Sequence, residues 1–179
     1  STSDLRFLEL LAEQAAVAIS NARIHARVSK QAKSDTLTGL PNRRALDEHL
    51  DEELRSAHRT GHSFATVMMD LDGFKEVNDN YGHPVGDQVL QRLFTYLSQG
   101  LRTSDFLARY GGDELTLVLH QSDMPATKLV TDKLIEKLHK FSYTLPDGKK
   151  LNISMSGGVA LYPIHGQTAS QLLRAADAA

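Results

Sequence analysis

Small or apolar residues open the chain at Leu5, Leu8, Ala12, Ala15, Ile19, Ala22 and Ala26, at spacings that alternate three and four. This is a heptad seam. No Gly or Pro interrupts residues 2–33, and Ser3 is placed to cap the start of one long helix. A seam that persists for almost four heptads predicts a helix that pairs with its copy in a second chain. An amphipathic helix packed on its own domain is the alternative reading.

From Ser34 the pattern changes to alternating helices and strands. Pro41 suits a first helical turn, and a helix is predicted from there to about Arg59, stopped by Gly61. Phe64-Ala-Thr-Val-Met-Met reads as a buried strand leading into Asp70. A short helical piece is expected around Phe74 to Asn80. A long helix follows from near Val85, with Val89, Leu90, Leu93, Phe94 and Leu97 on one face. Phe106–Tyr110 and Leu115–His120 read as strands joined by the tight turn Gly111-Gly112-Asp113-Glu114. An amphipathic helix from Met124 to Phe141, a turn at Pro146-Asp147-Gly148, a strand within Leu151–Tyr162 and a last helix from Ser170 complete the order. Hairpin-connected strands with interleaved helices predict an α+β sheet covered by helices. The chain divides into a signalling helix, residues 1–33, and a domain, residues 34–179.

Composition narrows the function classes. A hydrophobic content of 41% with 23% charged residues suits a globular protein with a buried core. A formal net charge of −2 gives no broad basic surface for nucleic acid or anionic membrane, so any nucleotide site has to be local. The absence of cysteine excludes disulfides, thiolate metal sites and a cysteine nucleophile, and leans toward a reducing, cytoplasmic setting. No apolar run approaches the roughly 20 residues needed to span a bilayer. The start, Ser-Thr-Ser-Asp, resembles no signal peptide and lacks an initiator Met, as expected of a fragment of a longer protein.

The residues with chemistry gather at two places. Asp70 and Asp72 end an apolar strand, and Asp113 and Glu114 sit on the glycine-rich turn. If strand and hairpin are neighbours, these carboxylates converge at one edge. Hard divalent cations take oxygen ligands, and two ions can clamp the attacking and leaving oxygens of a phosphoryl transfer. For Asp72 alone, a merely solvated acid is an equal reading. Gly111 and Gly112 remove side chains beside the acids and permit close ligand approach. The polar stretch from Asp70 to Asp87 adds further groups. Amides at Gly73 and Phe74 suit phosphate, Lys75 supplies a point charge, and Asn78 and Asp87 carry groups that pair with guanine. A turn at Asn78, an N-cap at Asp87 and a surface charge at Lys75 are the plain alternatives.

Five ordered stretches resemble the GGDEF family of diguanylate cyclases. They are Asp35-Thr-Leu-Thr-Gly-Leu-Pro-Asn-Arg-Arg44, the stretch Asp70–Asp87, Arg109-Tyr-Gly-Gly-Asp-Glu-Leu115, Ser154-Met-Ser-Gly-Gly-Val-Ala160 and Ala175-Ala-Asp-Ala178. The resemblance implies a central, mostly antiparallel five-stranded sheet flanked by helices, similar to class III nucleotide cyclases and polymerase palm domains. It implies condensation of two GTP into cyclic di-GMP by an antiparallel homodimer, with Mg²⁺ or Mn²⁺, two ions per half-site. Asp70, the Leu71 carbonyl and Asp113 would hold metal, and Glu114 would assist at the reacting hydroxyl or the metal. Phe74 and Lys75 would meet the phosphates, and Asn78 and Asp87 would read guanine. His83 belongs to the same motif without an assigned role. Arg102-Thr-Ser-Asp105, five residues upstream of Gly111, matches the family's inhibitory product site, with Lys133 as a helper.

The stretch Leu10–Arg23 resembles the closing helix of a GAF sensory domain, which implies an upstream sensor acting through this helix. Three departures stand out. Leu115 replaces the signature Phe, a structural position. Gly73 stands where many relatives carry a side chain. The chain stops at Ala179, before an apolar residue, a Tyr and a basic pair that in the family contact GTP phosphates, so weak GTP binding or loss of turnover is expected of a chain without them. The alternatives are an inactive cyclic di-GMP receptor or a GTP-binding regulatory domain. Retention of Asp70, Asp113 and Glu114 argues against the first.

Overall fold

The computed structural model describes residues 33–179. The expected N-terminal helix, its Ser3 cap and its heptad seam therefore lie outside the described residues. The elements run α1 (Arg43–Thr60), β1 (Phe64–Asp72), α2 (Phe74–Tyr81), α3 (His83–Ser98), β2 (Phe106–Gly111), β3 (Glu114–Leu119), α4 (Met124–Lys140), β4 (Ser154–Tyr162) and α5 (Ala169–Asp177). The strands form one sheet in the order β2-β3-β1-β4, every neighbouring pair antiparallel. This is the expected α+β class with one strand fewer than five among the described residues. The segment after α4 does not extend the sheet. It folds back around Pro146-Asp147-Gly148, with a single bridge between Thr144 and Lys150. A loop that pinches shut on itself has no length left to align with a neighbouring strand.

Local chemistry explains the element ends. Asn42 caps α1 by accepting from the Ala45 amide, so the helix begins two residues after Pro41 rather than at it. Gly61 closes α1 in the left-handed region, at φ 75°, and its N–H bonds the Ala57 carbonyl. Asp123 and Thr168 cap α4 and α5 in the manner of Asn42. Asp87 lies inside α3 and does not cap it, because Gly82 and Pro84 already mark the start.

Alternation along β1 sorts the core into two layers. Ala65, Val67, Met69 and Leu71 pack with α3 and α4 residues such as Leu93, Phe94 and Leu138. Phe64 and Met68 turn to the other face, onto Leu46 and Leu50 of α1 and Leu172 of α5. Asp70 and Asp72 continue the parity of Phe64 and Met68. They emerge exposed where the covering helix α5 ends. The sheet thus carries two acids past the limit of its own core. Among the described residues, no helix is long and apolar enough to cross a membrane.

Candidate active site

Asp70 stands directly opposite Glu114 in the β1–β3 ladder, and Asp113 is the preceding residue of the hairpin. The ladder to β3 ends at this pair, whereas pairing with β4 runs on to Asp72. One edge of β1 is therefore free of a strand partner at Leu71, whose side chain is buried in the core. Gly112 lets the hairpin turn at φ 52°, a conformation that costs a residue with a side chain far more.

The acids press on one another. Burial raises the pKa of Asp70, and the charges of Asp113 and Asp72 raise it further, against a hydrogen bond from the Leu71 backbone that lowers it. Burial likewise raises Glu114, joined by Asp70, Asp113 and Asp177, with Arg43 opposing. Such an edge of hard oxygen donors, crowded enough to hold protons above the ordinary carboxylate range, fits a divalent cation of the Mg²⁺ or Mn²⁺ type. Asp72 behaves differently. It accepts hydrogen bonds from Ser154 at 2.7 Å and Ser156 at 2.6 Å, which hold its pKa down. Its carboxylate is thereby tied to β4 and fastens β1 to that strand.

A cleft of about 300 Å³ opens beside the acids, lined by Asp70, Glu114, Ser156, Gly157, Gly158 and Asp177 among others. Its floor depends on the absence of side chains. A Cβ on Gly157 would stand 2.4 Å from the Met68 carbonyl oxygen, and one on Gly158 would stand 2.2 Å from the Ala176 carbonyl oxygen. Asp177, Ser154 and Ser156 stand at the site without a role predicted from sequence. Their signals were present, in the Ala175-Ala-Asp-Ala178 motif and in serines two apart on a strand.

Past Asp72 the chain turns through Gly73, at φ 73°, into α2. The glycine permits this left-handed entry. Phe74 and Lys75 form the first turn of α2, Phe74 buried and Lys75 exposed. α2 and α3 pack together, and Asn78 stands beside Gly86, the residue before the exposed Asp87. Gly86 leaves the gap into which Asn78 fits, since a Cβ there would meet Asn78 Oδ1 at 2.0 Å. His83 opens α3 and is exposed. Leu115, in the fifth signature position, is buried and pairs with Met69, which is a structural role.

The hairpin is also held from behind. Arg109 Nη1 donates to both Asp35 carboxylate oxygens, at 2.9 and 3.1 Å, and its Nε donates to the Gly112 carbonyl at 2.8 Å. Asp35 also accepts from the Thr38 amide and hydroxyl. Partial burial would raise the Asp35 carboxyl, but the Thr38 and Arg109 interactions together outweigh it and lower its pKa. That contribution to stability is present above the ordinary aspartate range and is lost as pH falls through the lowered value. Arg109→Ala is expected to cost about 2 kcal/mol, the scale of hydrogen bonds to charged groups, measured by urea unfolding at neutral pH. It also removes a support of the turn that carries Asp113.

Arg102, Asp105 and Lys133 are brought together in a separate cavity of about 370 Å³, between the end of α3, the following loop and α4. Asp105 Oδ2 accepts from the Arg102 amide at 3.1 Å, and the Asp105 amide donates to the Arg102 carbonyl at 3.0 Å. Both side chains are thus presented by one closed turn.

Residues 32–179 match the family model described as diguanylate cyclase, GGDEF domain. The chain is 38% identical over 170 residues to the bifunctional diguanylate cyclase/cyclic di-GMP phosphodiesterase MucR of Pseudomonas aeruginosa, covering 95% of this chain and 24% of MucR. Among solved structures, diguanylate cyclase SiaD of Pseudomonas aeruginosa, in complex with its activator SiaC, matches with a TM-score of 0.80 and 34% identity, over 99% of this chain and 68% of SiaD. The coiled coil and GGDEF domain of DgcB from Caulobacter crescentus, in complex with c-di-GMP, matches with a TM-score of 0.84 and 26% identity, over 96% of this chain and 91% of that one.

Proposed function

Because the chain belongs to the GGDEF domain family of diguanylate cyclases, we propose that it condenses two GTP molecules into cyclic di-GMP with release of two pyrophosphates. The observation that carries this reading is the in-register pair Asp70 and Glu114 with Asp113 beside it, at an acidic edge next to an open cleft. Names given to relatives support the same chemistry.

Asp70, Asp113 and the Leu71 carbonyl would hold Mg²⁺ or Mn²⁺, two ions per half-site. When bound, the metal offsets charge on the transferring phosphoryl group. The first-turn amides of α2, at Gly73 and Phe74, orient the β- and γ-phosphates, and Lys75 adds positive charge outside them. Asn78 and Asp87 read the guanine edge: the amide pairs with the purine, and the carboxylate accepts from its N–H groups. His83, exposed at the start of α3, would belong to the same substrate-binding stretch. Glu114, whose pKa is raised by burial and its acidic neighbours, accepts the proton of the attacking 3′-hydroxyl. That oxygen forms a bond to the α-phosphorus of the facing nucleotide. The bond from the α-phosphorus to the bridging oxygen breaks, and pyrophosphate leaves with the electron pair.

One chain supplies one nucleotide, so the product requires two chains facing each other antiparallel. Positioning both nucleotides in line replaces an improbable encounter. The heptad seam of residues 5–26 would pair the chains, and an upstream sensor would act through it. The coiled coil of DgcB supports this arrangement by likeness.

Arg102, Asp105 and Lys133 would bind cyclic di-GMP as an inhibitor: Arg and Lys would grip its phosphates and Asp its guanine. Arg102→Ala is expected to raise the product concentration needed for half-inhibition by about tenfold or more, since a charge-assisted phosphate contact contributes on the order of 1.5–3 kcal/mol. Unchanged inhibition in initial-rate assays with added cyclic di-GMP removes that assignment. The reading as a whole is tested by incubating the protein with Mg²⁺ and GTP and separating nucleotides by chromatography. Cyclic di-GMP with two pyrophosphates per product supports it, and bound but unconverted GTP opposes it.

A further inference from the structure

At the opposite end of β1 from Asp70 lies a second group of ligand-type side chains that the proposed reaction does not use. Glu53 of α1, His62 of the α1–β1 loop and His120 just after β3 place one donor atom each within 4.8 Å of one another. Six residues of strand separate this end of β1 from Asp70, about 20 Å at a strand rise of roughly 3.3 Å per residue. Glu53 is a carboxylate buried to 7% exposure on the inner side of a helix. Acids are rarely so buried unless paired or bound to metal.

The hydrogen-bond network assigns the tautomer of His62. The Thr60 hydroxyl has one proton, and it donates it to the Ser56 carbonyl at 2.9 Å. Thr60 Oγ1 therefore acts as acceptor toward His62 Nδ1 at 2.5 Å, which puts a hydrogen on Nδ1. In a neutral ring that leaves a lone pair on Nε2, and Nε2 points at Glu53 Oε1 from 2.8 Å. A lone pair facing a carboxylate oxygen is repulsive unless a proton lies between them, or unless the two groups part to admit a metal ion. The same Oε1 lies 2.6 Å from His120 Nδ1. The chain from Ser56 through Thr60 to His62 is also the outer support that metal-binding imidazoles use, the second ring nitrogen donating to an oxygen that fixes the tautomer.

We propose that Glu53, His62 and His120 form a binding site for a divalent transition-metal ion of the Zn²⁺ class, separate from the acidic edge at Asp70. Two imidazoles and one carboxylate suit zinc, which takes three protein ligands and leaves a position for water. Tetrahedral zinc with bonds of about 2.0–2.1 Å sets its donors about 3.3 Å apart, so the ring nitrogens close in from as much as 4.8 Å while the carboxylate, now 2.6–2.8 Å from them, moves outward by roughly half an ångström. His120 can make that adjustment, because its side chain is one third exposed, at 33%, and borders an open cavity through which an ion enters. The two loops that bring the rings together are joined by Ser63 Oγ, which donates to the Ser122 carbonyl at 3.2 Å. Gln121, next to His120, sits at φ 47°, a left-handed conformation uncommon for a residue with a side chain and kept where the surroundings impose it.

The test is calorimetric titration of the protein with Zn²⁺ in excess Mg²⁺ and without nucleotide. One ion per chain is expected, with affinity reduced about tenfold or more in His62→Ala and in His120→Ala. Asp70→Asn is expected to leave this binding intact. His120→Ala is the safer variant, since its side chain is partly exposed, and its melting curve checks the fold. Co²⁺ in place of Zn²⁺ is expected to give the visible bands of a tetrahedral ion, lost in His120→Ala. Absence of binding, binding that survives both histidine substitutions, or binding removed by Asp70→Asn overturns the site and leaves a proton alone between His62 and Glu53.

Discussion

Asp70→Asn is expected to lower cyclic di-GMP formation at saturating GTP by about a thousandfold while leaving the melting temperature equal or higher. If Asp70 holds the metal ion, as proposed, the loss follows from removing a carboxylate whose charge stabilisation amounts to several kcal/mol, and about 4 kcal/mol corresponds to a thousandfold in rate. The gain follows from the same geometry. Asp70 is destabilised by burial and by the charges of Asp113 and Asp72, so its ionised form burdens the metal-free fold. Its folded pKa lies above its unfolded one. Its contribution to stability is therefore fully present below the ordinary aspartate range and is lost as pH rises through the raised value. Glu114 follows the same sign. Thermal melts of the metal-free protein should show stability falling across that window, with a smaller fall in Asp70→Asn. Added Mg²⁺ should stabilise the original protein more than the variant. A variant that loses stability along with activity would mean that Asp70 is a structural residue.

Gly86→Ala tests the proposed contact of Asn78 with guanine. Two effects on stability oppose each other. Alanine favours the interior of α3 by up to about 1 kcal/mol over glycine. The added methyl would meet Asn78 Oδ1 at 2.0 Å and Phe74 Cζ at 3.2 Å, and such overpacking costs about 1–3 kcal/mol. The net change in stability is then small, on the order of 0–2 kcal/mol destabilising. The functional change is larger, because the side chain that yields most easily is Asn78, which must swing out of its place. The KM for GTP is expected to rise tenfold to a hundredfold, about 1.4–2.8 kcal/mol, with a smaller change in kcat and weaker preference for GTP over ATP. An unchanged KM would mean that Asn78 does not read the base.

The strand–hairpin site was legible in the sequence because its signals are local. An apolar run ending in Asp70 and a glycine pair before Asp113 are each contained in a few residues, and sheet pairing of neighbouring elements brings them together. The turn holding Arg102 and Asp105 was not legible in this way: Arg-x-x-Asp by itself reads as a surface ion pair, and only the family resemblance singled it out. The strand count was less legible than the site, since the loop at Tyr143–Leu151 carries a turn signal that serves a closed loop as well as a hairpin. Asp87 shows the limit of cap rules: an acid early in a helix reads as a cap, yet Gly82 had already begun α3. The bond from Ser154 and Ser156 to Asp72 spans more than 80 residues and emerges only from the β1–β4 register. Glu53, His62 and His120 are hidden for the same reason, as no local pattern joins a helix face, a loop and a strand end.

Cyclic di-GMP production from GTP and Mg²⁺, compared between the protein and its Asp113→Ala variant at equal folded fraction, tests the acidic edge most directly. Product is expected from the first and none above background from the second, with matching melting curves because Asp113 sits on a turn and outside the core. Equal product from both would contradict the proposed role of that edge.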